Sequence, residues 1–175
     1  AVAGVKIANA FPETAAAAGL SLPKMIAGEQ RVALAYLERG ARFDPAHCKT
    51  VAKRSGSGWS LTGQKQLAWG AHSSDVIIVS ARLETPQGEL ALFCVDAKAL
   101  PPMPPRRAYN DRSAADIVFN NLTLPEAALV AKGGDASTAL VDAIDTVTLA
   151  LCAEGVGAME RSLKITIDYM KARQQ

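Results

Sequence analysis

From Ser137 to Gln175 the chain contains no proline, and its apolar residues recur at helical spacing: Leu140, Ile144, Val147 and Leu151, then Met159, Leu163, Ile167 and Met170. Such a run predicts one helix of roughly 38 residues, about 57 Å long at a rise of ~1.5 Å per residue. That length exceeds what one small domain covers, so the helix calls for other helices, from further sequence or from other chains. Asp135 or Ser137 is expected to cap its start. Leu149, Ala153 and Val156 make a second apolar face, which predicts burial on more than one side. Gly155 and Gly157 each weaken an isolated helix by about 1 kcal/mol relative to Ala. Close approach of another helix or of a ligand would account for them, and helix packing is the plainer expectation.

Upstream of Gly133-Gly134 the pattern differs. Ala1 to Gly28 is rich in Ala and divided by Pro12 and Pro23, which predicts two short helical pieces with Gly19 as a stop. About ninety residues of strand signals follow. Arg31–Leu37 is the first. Thr50–Arg54 and Trp59–Gln66 flank Ser55-Gly56-Ser57-Gly58 and read as a hairpin. Trp59 and Leu61 alternate with Ser60 and Thr62, as on a half-buried strand. Val76–Ala81 is a continuous apolar run, suited to a strand covered on both faces. Glu84–Gly88 reads as a turn, Leu90–Val95 as a strand, Pro101–Pro105 as an extended edge or loop, and Ala115–Leu122 as the last strand. Several short strands at close spacing predict an α+β chain with an antiparallel β-barrel flanked by helices.

Composition narrows the function classes. The chain has 175 residues, 49% of them hydrophobic, with 19 Lys and Arg against 17 Asp and Glu for a net charge of +2. That balance gives no reason to invoke nucleic acid or an anionic membrane surface. No stretch reaches the roughly 20 uninterrupted apolar residues of a membrane span. Cys48, Cys94 and Cys152 are odd in number and widely spaced, which suits reduced thiols and a cytoplasmic setting better than a disulfide framework.

Familiar chemical motifs are missing. Neither a G-x-G-x-x-G nor a G-x-x-x-x-G-K-[ST] phosphate loop occurs. His47 and Cys48 are neighbours that rarely point at one metal, so no metal ligand is assigned. His72-Ser73-Ser74-Asp75 holds the residue types of a hydrolytic triad, but consecutive residues do not make that geometry, and a polar loop is expected. Arg106, Arg107 and Arg112 cluster around Tyr109 and Asp111; a solvated loop is the plainer reading and an anion site the sharper one. Trp59 is expected in the core or at its rim. Trp69, between Ala68 and Gly70-Ala71, has room around its indole for stacking on a planar ligand, and core packing explains it equally well.

Taken in order, a set of phrases carries a resemblance. They are Gly28-Glu29 with Ala33–Gly40, then Gly58–Lys65, Ser74–Arg82, Leu92–Asp96, Asp111–Asp116, Ala153–Met159 and Asp168–Gln175. The chain resembles the acyl-CoA dehydrogenase family, with a likeness to its pimeloyl-CoA dehydrogenase small-subunit branch. The resemblance implies the end of an N-terminal helical domain over 1–28, a middle β-barrel over 29–130, and the first long helix of a C-terminal helical domain over 135–175. It implies a truncated piece of an enzyme about twice as long. The implied reaction is α,β-dehydrogenation of an acyl-CoA thioester to the trans-2,3-enoyl product. In it a carboxylate takes the α-proton and flavin N5 the β-hydrogen, and electrons pass on to an electron-transfer flavoprotein. The implied cofactor is FAD and the implied assembly a homo- or hetero-oligomer with a large subunit.

Residue by residue, the family's flavin loop Thr-Glu-Pro-Gly-Ala-Gly-Ser-Asp corresponds here to Leu37-Glu38-Arg39-Gly40-Ala41-Arg42-Phe43-Asp44. With Tyr36 ahead of it, this assigns Tyr36, Leu37, Glu38, Gly40 and Phe43 to the cofactor. Phe43 replaces the hydroxyl-bearing Ser, while backbone contacts remain open to any residue. The second flavin segment, Trp-Ile-Thr, is Leu67-Ala68-Trp69, so Trp69 stands where the Thr meets flavin N5. Arg173 matches an Arg that reaches the FAD of a neighbouring subunit. Asp145 and Thr148 fall at substrate-contacting positions, Thr148 in place of Arg. The family's catalytic Glu lies beyond Gln175 or near Val147, and Val147 is no base, so no catalytic residue is assigned. Two other readings stand beside this one: a catalytically degenerate structural subunit of a heteromeric dehydrogenase, and a stand-alone binding module.

Overall fold

The computed structural model describes residues 2–108 and 111–173. Tyr109 of the expected arginine cluster, Gln174 and Gln175 of the expected helix end, and Ala1 lie outside the described residues. Three helices open the chain, α1 (Val2–Ala10), α2 (Pro12–Ala17) and α3 (Leu22–Ala27), where the sequence predicts two pieces. The difference lies in the prolines. Pro12 and Pro23 each occupy the first turn of a helix, where a missing N–H is harmless, so each helps start a helix, while α2 stops at Ala17 ahead of the left-handed Gly19. Gly28 closes α3 at φ +77, a left-handed position where a side chain would be strained.

Eight strands follow: β1 (Val32–Ala35), β2 (Val51–Ser55), β3 (Gly58–Trp69), β4 (Val76–Leu83), β5 (Leu90–Asp96), β6 (Arg106–Arg107), β7 (Ser113–Pro125) and β8 (Leu129–Lys132). The expected hairpin is there, with Ser55 opposite Gly58 and Arg54 opposite Trp59. The expected antiparallel barrel is not. The strands form one mixed sheet in the order β6-β7-β3-β2-β4-β5-β8, with β1 paired to β4 off that path, and β6 and β8 do not meet. Two pairings explain this. Both β1 and β2 run parallel to β4, through Val32↔Val76 and Val51↔Arg82, so β4 carries two partners end to end along one edge. The terminal strands are also short, two residues for β6 and four for β8, and the proline run before β6 lacks ladder donors.

The open sheet still curls. Register shifts in the β3–β7 ladder between Leu61 and Gly63 and between Lys65 and Ala68 bend it as bulges do. Its concave side closes on one core, where Trp59 of β3 meets Phe93 of β5 edge to face at 5.4 Å. The Arg54 guanidinium covers the other side of Trp59 at 4.0 Å. The convex side carries a second core of Ile7, Met25, Ile78, Leu92 and Leu140, built between the sheet and the helices. β4 and β5 supply both, Ile77 and Phe93 to the first and Ile78 and Leu92 to the second, which is why successive residues in them are apolar on both faces over Val76–Val79 and Leu90–Val95.

The last element, α4 (Gly133–Ala172), is 40 residues long. It starts four residues before Ser137, with Lys132 as its unbonded cap, so neither Asp135 nor Ser137 caps it. The Ser137 hydroxyl instead donates back to the Gly133 carbonyl at 3.1 Å. Ala136, Ala139, Leu140 and Ala143 are buried against the sheet and α1. The second apolar face is not buried: Leu149 is 72% and Val156 60% exposed. The sheet and α1 end short of them, so the C-terminal stretch of α4 projects from the molecule. Nothing lies within 4 Å of a Cβ placed on Gly155 or Gly157, so close packing at these glycines is not found here. By length and composition α4 is also apolar enough to cross a membrane, with an 18-residue window averaging 1.4 in hydropathy. Its first turns are core helix of the chain.

A cleft between Trp69 and the long helix

The connection from β1 to β2 is held by a buried polar knot. Counting by twos from Trp59 and Leu61 along β3 puts Lys65 on the concave face, and its side chain is fully buried. An ammonium there needs a complete set of partners. Its Nζ donates to Glu38 Oε1 at 2.7 Å, Ser80 Oγ at 3.0 Å and the Tyr36 carbonyl at 3.4 Å. Cys48 Sγ lies 3.5 Å away. Glu38 also accepts from the Lys49 N–H at 2.6 Å, the Thr50 N–H at 3.0 Å and the Thr50 hydroxyl at 2.7 Å. Burial pushes the Glu38 carboxyl up, but the Lys65 ammonium and the Thr50 donors outweigh it and hold it down at about 2. Gly63 makes the approach possible, because a Cβ there would sit 2.6 Å from Thr50 Oγ1. The Glu38 carboxylate is therefore spent inside the protein.

Past Lys65 the strand bulges. Leu67 takes a positive φ of 50°, and its N–H donates to Asp116 Oδ1 at 3.1 Å. The preceding Gln66 N–H donates to the Leu37 carbonyl at 2.8 Å. The bulge turns Ala68 inward, to 2% exposure, and leaves Trp69 half exposed. Gly70, left-handed at φ +71, then donates to the Ser113 carbonyl at 2.9 Å and reverses the chain beneath the indole.

Trp69 faces α4 across a cleft of two compartments. The smaller, about 320 Å³, lies between β1 and α4, with Val32, Leu34 and Tyr36 on one side and Ile144, Val147, Thr148 and Leu151 on the other. The larger, about 560 Å³, is bordered by Gly70, His72, Arg112 and Ser113. Trp69, Val147 and Leu151 belong to both. Arg112 also ion-pairs with Glu154, one turn beyond Leu151, and so ties the start of β7 to the helix. Burial raises the Tyr36 phenol above its ordinary pKa, so it stays neutral at pH 7.

The expected site residues divide by position. Tyr36, Trp69 and Thr148 come together around the smaller compartment. Leu37 and Ala68 are buried and line neither compartment, and Leu67 is exposed on the bulge. Gly40, at φ +85, and Phe43, 75% exposed, sit in the turn ahead of β2. Thr148 donates its hydroxyl to the Ile144 carbonyl at 2.9 Å, and Asp145 is exposed and borders neither compartment. Arg173 lies 26 positions past Val147, about 39 Å along the helix at ~1.5 Å per residue, with its guanidinium over Tyr169. It does not meet the cleft. Of the arginine cluster, Arg106 pairs with Asp116 and Arg107 with Asp111. His72-Ser73-Ser74-Asp75 forms the expected polar turn, its two serine hydroxyls donating to the Gly70 carbonyl. Sequence reading did not assign Lys65, Leu34 or Leu151 to the site; for Lys65 the alternation from Trp59 was a usable signal.

Comparison with known proteins fits this arrangement. The description of the family "acyl-CoA dehydrogenase, middle domain" matches residues 33–122, just over half of the chain, from β1 into β7. A mitochondrial isovaleryl-CoA dehydrogenase of Arabidopsis thaliana is 28% identical over 172 residues, covering 93% of this chain and 41% of its own. An acyl-CoA dehydrogenase from Geobacillus kaustophilus superposes with a TM-score of 0.75 at 25% identity, over 88% of this chain and 43% of that one. A glutaryl-CoA dehydrogenase from Mycobacterium smegmatis in complex with FADH2 shares the fold, with a TM-score of 0.75 at 24% identity over 88% and 40% of the two chains. The chain spans about two fifths of the length of the relatives it matches. With its central sheet matched to that middle domain, the chain belongs to the acyl-CoA dehydrogenase family.

Proposed function

We propose that this chain forms the flavin- and acyl-CoA-facing region of an FAD-dependent acyl-CoA dehydrogenase acting in fatty-acid or related acyl oxidation. The observation that carries the reading is the cleft between Trp69 and α4, a half-exposed indole opposite an apolar helix face. The residues fit a flavin in part. Trp69 offers a flat surface, Leu67 and Ala68 precede it on β3, and the Gln66 N–H ties that stretch to the Leu37 carbonyl, where the 37–43 segment that would supply backbone contacts begins. Glu38, with its carboxylate committed to Lys65 and Thr50, serves through its backbone alone. FAD, when bound, supplies the two-electron acceptor. Around it, Trp69 and Val147 exclude water and align the acyl group, Thr148 borders its path, Asp145 meets substrate outside the two compartments, and Arg173 serves the FAD of a neighbouring subunit. No residue of this chain is assigned as the base. The division into 1–28, 29–130 and 135–175, the electron-transfer flavoprotein as acceptor, and a homo- or heteromeric assembly belong to the same proposal. The three free thiols suit the cytoplasm.

A second reading, a non-catalytic subunit of a heteromer, is favoured by one feature: no carboxylate borders either compartment among the described residues. The two readings separate by colour. Expressed with its flanking coding sequence, the catalytic protein should purify yellow, absorbing at about 450 nm, and bleach on addition of an acyl-CoA. A colourless protein selects the structural subunit. The 175-residue chain alone should bind FAD more weakly than micromolar; tighter binding would show that its own residues suffice.

A further inference from the structure

The two compartments beside Trp69 differ in wall chemistry. The smaller is lined by aliphatic side chains, chiefly Val32, Leu34, Ile144, Val147 and Leu151, and by the indole. Its polar side-chain groups are the hydroxyls of Tyr36 and Thr148 and the indole N–H of Trp69, and the Thr148 hydroxyl already donates to the Ile144 carbonyl. No Lys, Arg or His lines it among the described residues. The cation of the larger compartment, Arg112, is joined to Glu154. We infer that the smaller compartment receives the uncharged aliphatic end of a short acyl group and discriminates against an acyl group that ends in a second carboxylate. Thr148, on the helix wall, is the position that sets the choice. This rests on the acyl-CoA reading above, and it runs against the dicarboxylic substrate that the small-subunit resemblance suggests. The reason is desolvation: a carboxylate carried between β1 and α4 loses water and meets no cation among the described lining residues in exchange. A methyl end loses nothing there and buries apolar surface.

The test compares hexanoyl-CoA with adipoyl-CoA, which share the CoA and the carbon count and differ only in the terminal group. Binding to the 175-residue chain is read by quenching of Trp69 emission, against a constant background from the buried Trp59. Hexanoyl-CoA is expected to bind roughly tenfold or more tightly than adipoyl-CoA. Thr148→Arg, at an exposed helix position, should move the ratio toward adipoyl-CoA by roughly the same factor. Leu151→Arg, one turn on, should do likewise and guards against misfolding of the first variant. Equal affinities, or a preference for adipoyl-CoA in the parent chain, overturn the inference and leave the acyl-CoA reading standing. Binding of neither thioester, or of free CoA as tightly as hexanoyl-CoA, overturns both.

Discussion

At the scale of single residues, Lys65 and Glu38 matter most for stability. Both are buried, and each satisfies the other within a set of at least four further polar partners. Removing one charge strands the other in a low-dielectric site. Lys65→Met is therefore expected to destabilise the chain by about 3–5 kcal/mol, measured by urea denaturation, and the paired change Lys65→Met with Glu38→Leu to recover much of that loss. The pH dependence has a definite sign. The folded-state pKa of Glu38, about 2, lies below its ordinary value of 4.5. Its contribution is thus fully present above about pH 4.5 and is lost as pH falls toward 2. Glu38→Gln should flatten the acid limb of a stability–pH curve; an unchanged limb would mean that other carboxylates dominate it. The position of Lys65 follows from alternation along β3, but its partner lies 27 positions away on another segment, and no local pattern announces that pairing.

Elements come next, and α4 is the informative one. Its start is fastened by Ala136, Ala139, Leu140 and Ala143, while the rest presents Met159, Leu163 and Met170 to solvent. Leu140 is 1% exposed in the core shared with α1. Leu140→Ala should lower stability by about 2–5 kcal/mol and release the helix from the sheet, seen as faster amide exchange in α1 and in the first turns of α4. Gly155 and Gly157 behave in the opposite sense. No atom lies near an added methyl at either, so Gly155→Ala and Gly157→Ala should each raise helix stability by about 1 kcal/mol in this chain, followed by circular dichroism on heating. If the same substitutions destabilise a longer form of the protein, another element packs against those glycines there. Periodicity marked this helix clearly. It did not mark which face is covered, because two apolar faces look alike in sequence and only the sheet's end decides where coverage stops.

For the whole molecule, the sheet is a shared wall between two cores. Phe93 fills one and Leu92, its chain neighbour, fills the other. Phe93→Ala should cost about 3–5 kcal/mol, and its effect should add to that of Leu140→Ala because the two side chains belong to different clusters. A strong deviation from additivity in denaturation experiments would mean that the sheet transmits strain between them. The cleft belongs to this scale as well, since β1, the bulge at Leu67 and α4 each supply one wall.

Local order was therefore written in the chain: the β2–β3 hairpin from its Gly-Ser turn, the doubly covered β4 from its apolar run, β5 as a strand, and the long helix from its 3.6-residue repeat. These follow from nearest-neighbour conformational preference and from which face each residue presents. The open edge of the sheet, the parallel placement of β1 and β2 on β4, the Lys65–Glu38 knot and the cleft beside Trp69 came only with the tertiary structure. Each depends on contacts between segments far apart in the chain, where the free energy of pairing is set by the assembled geometry and not by any stretch read alone.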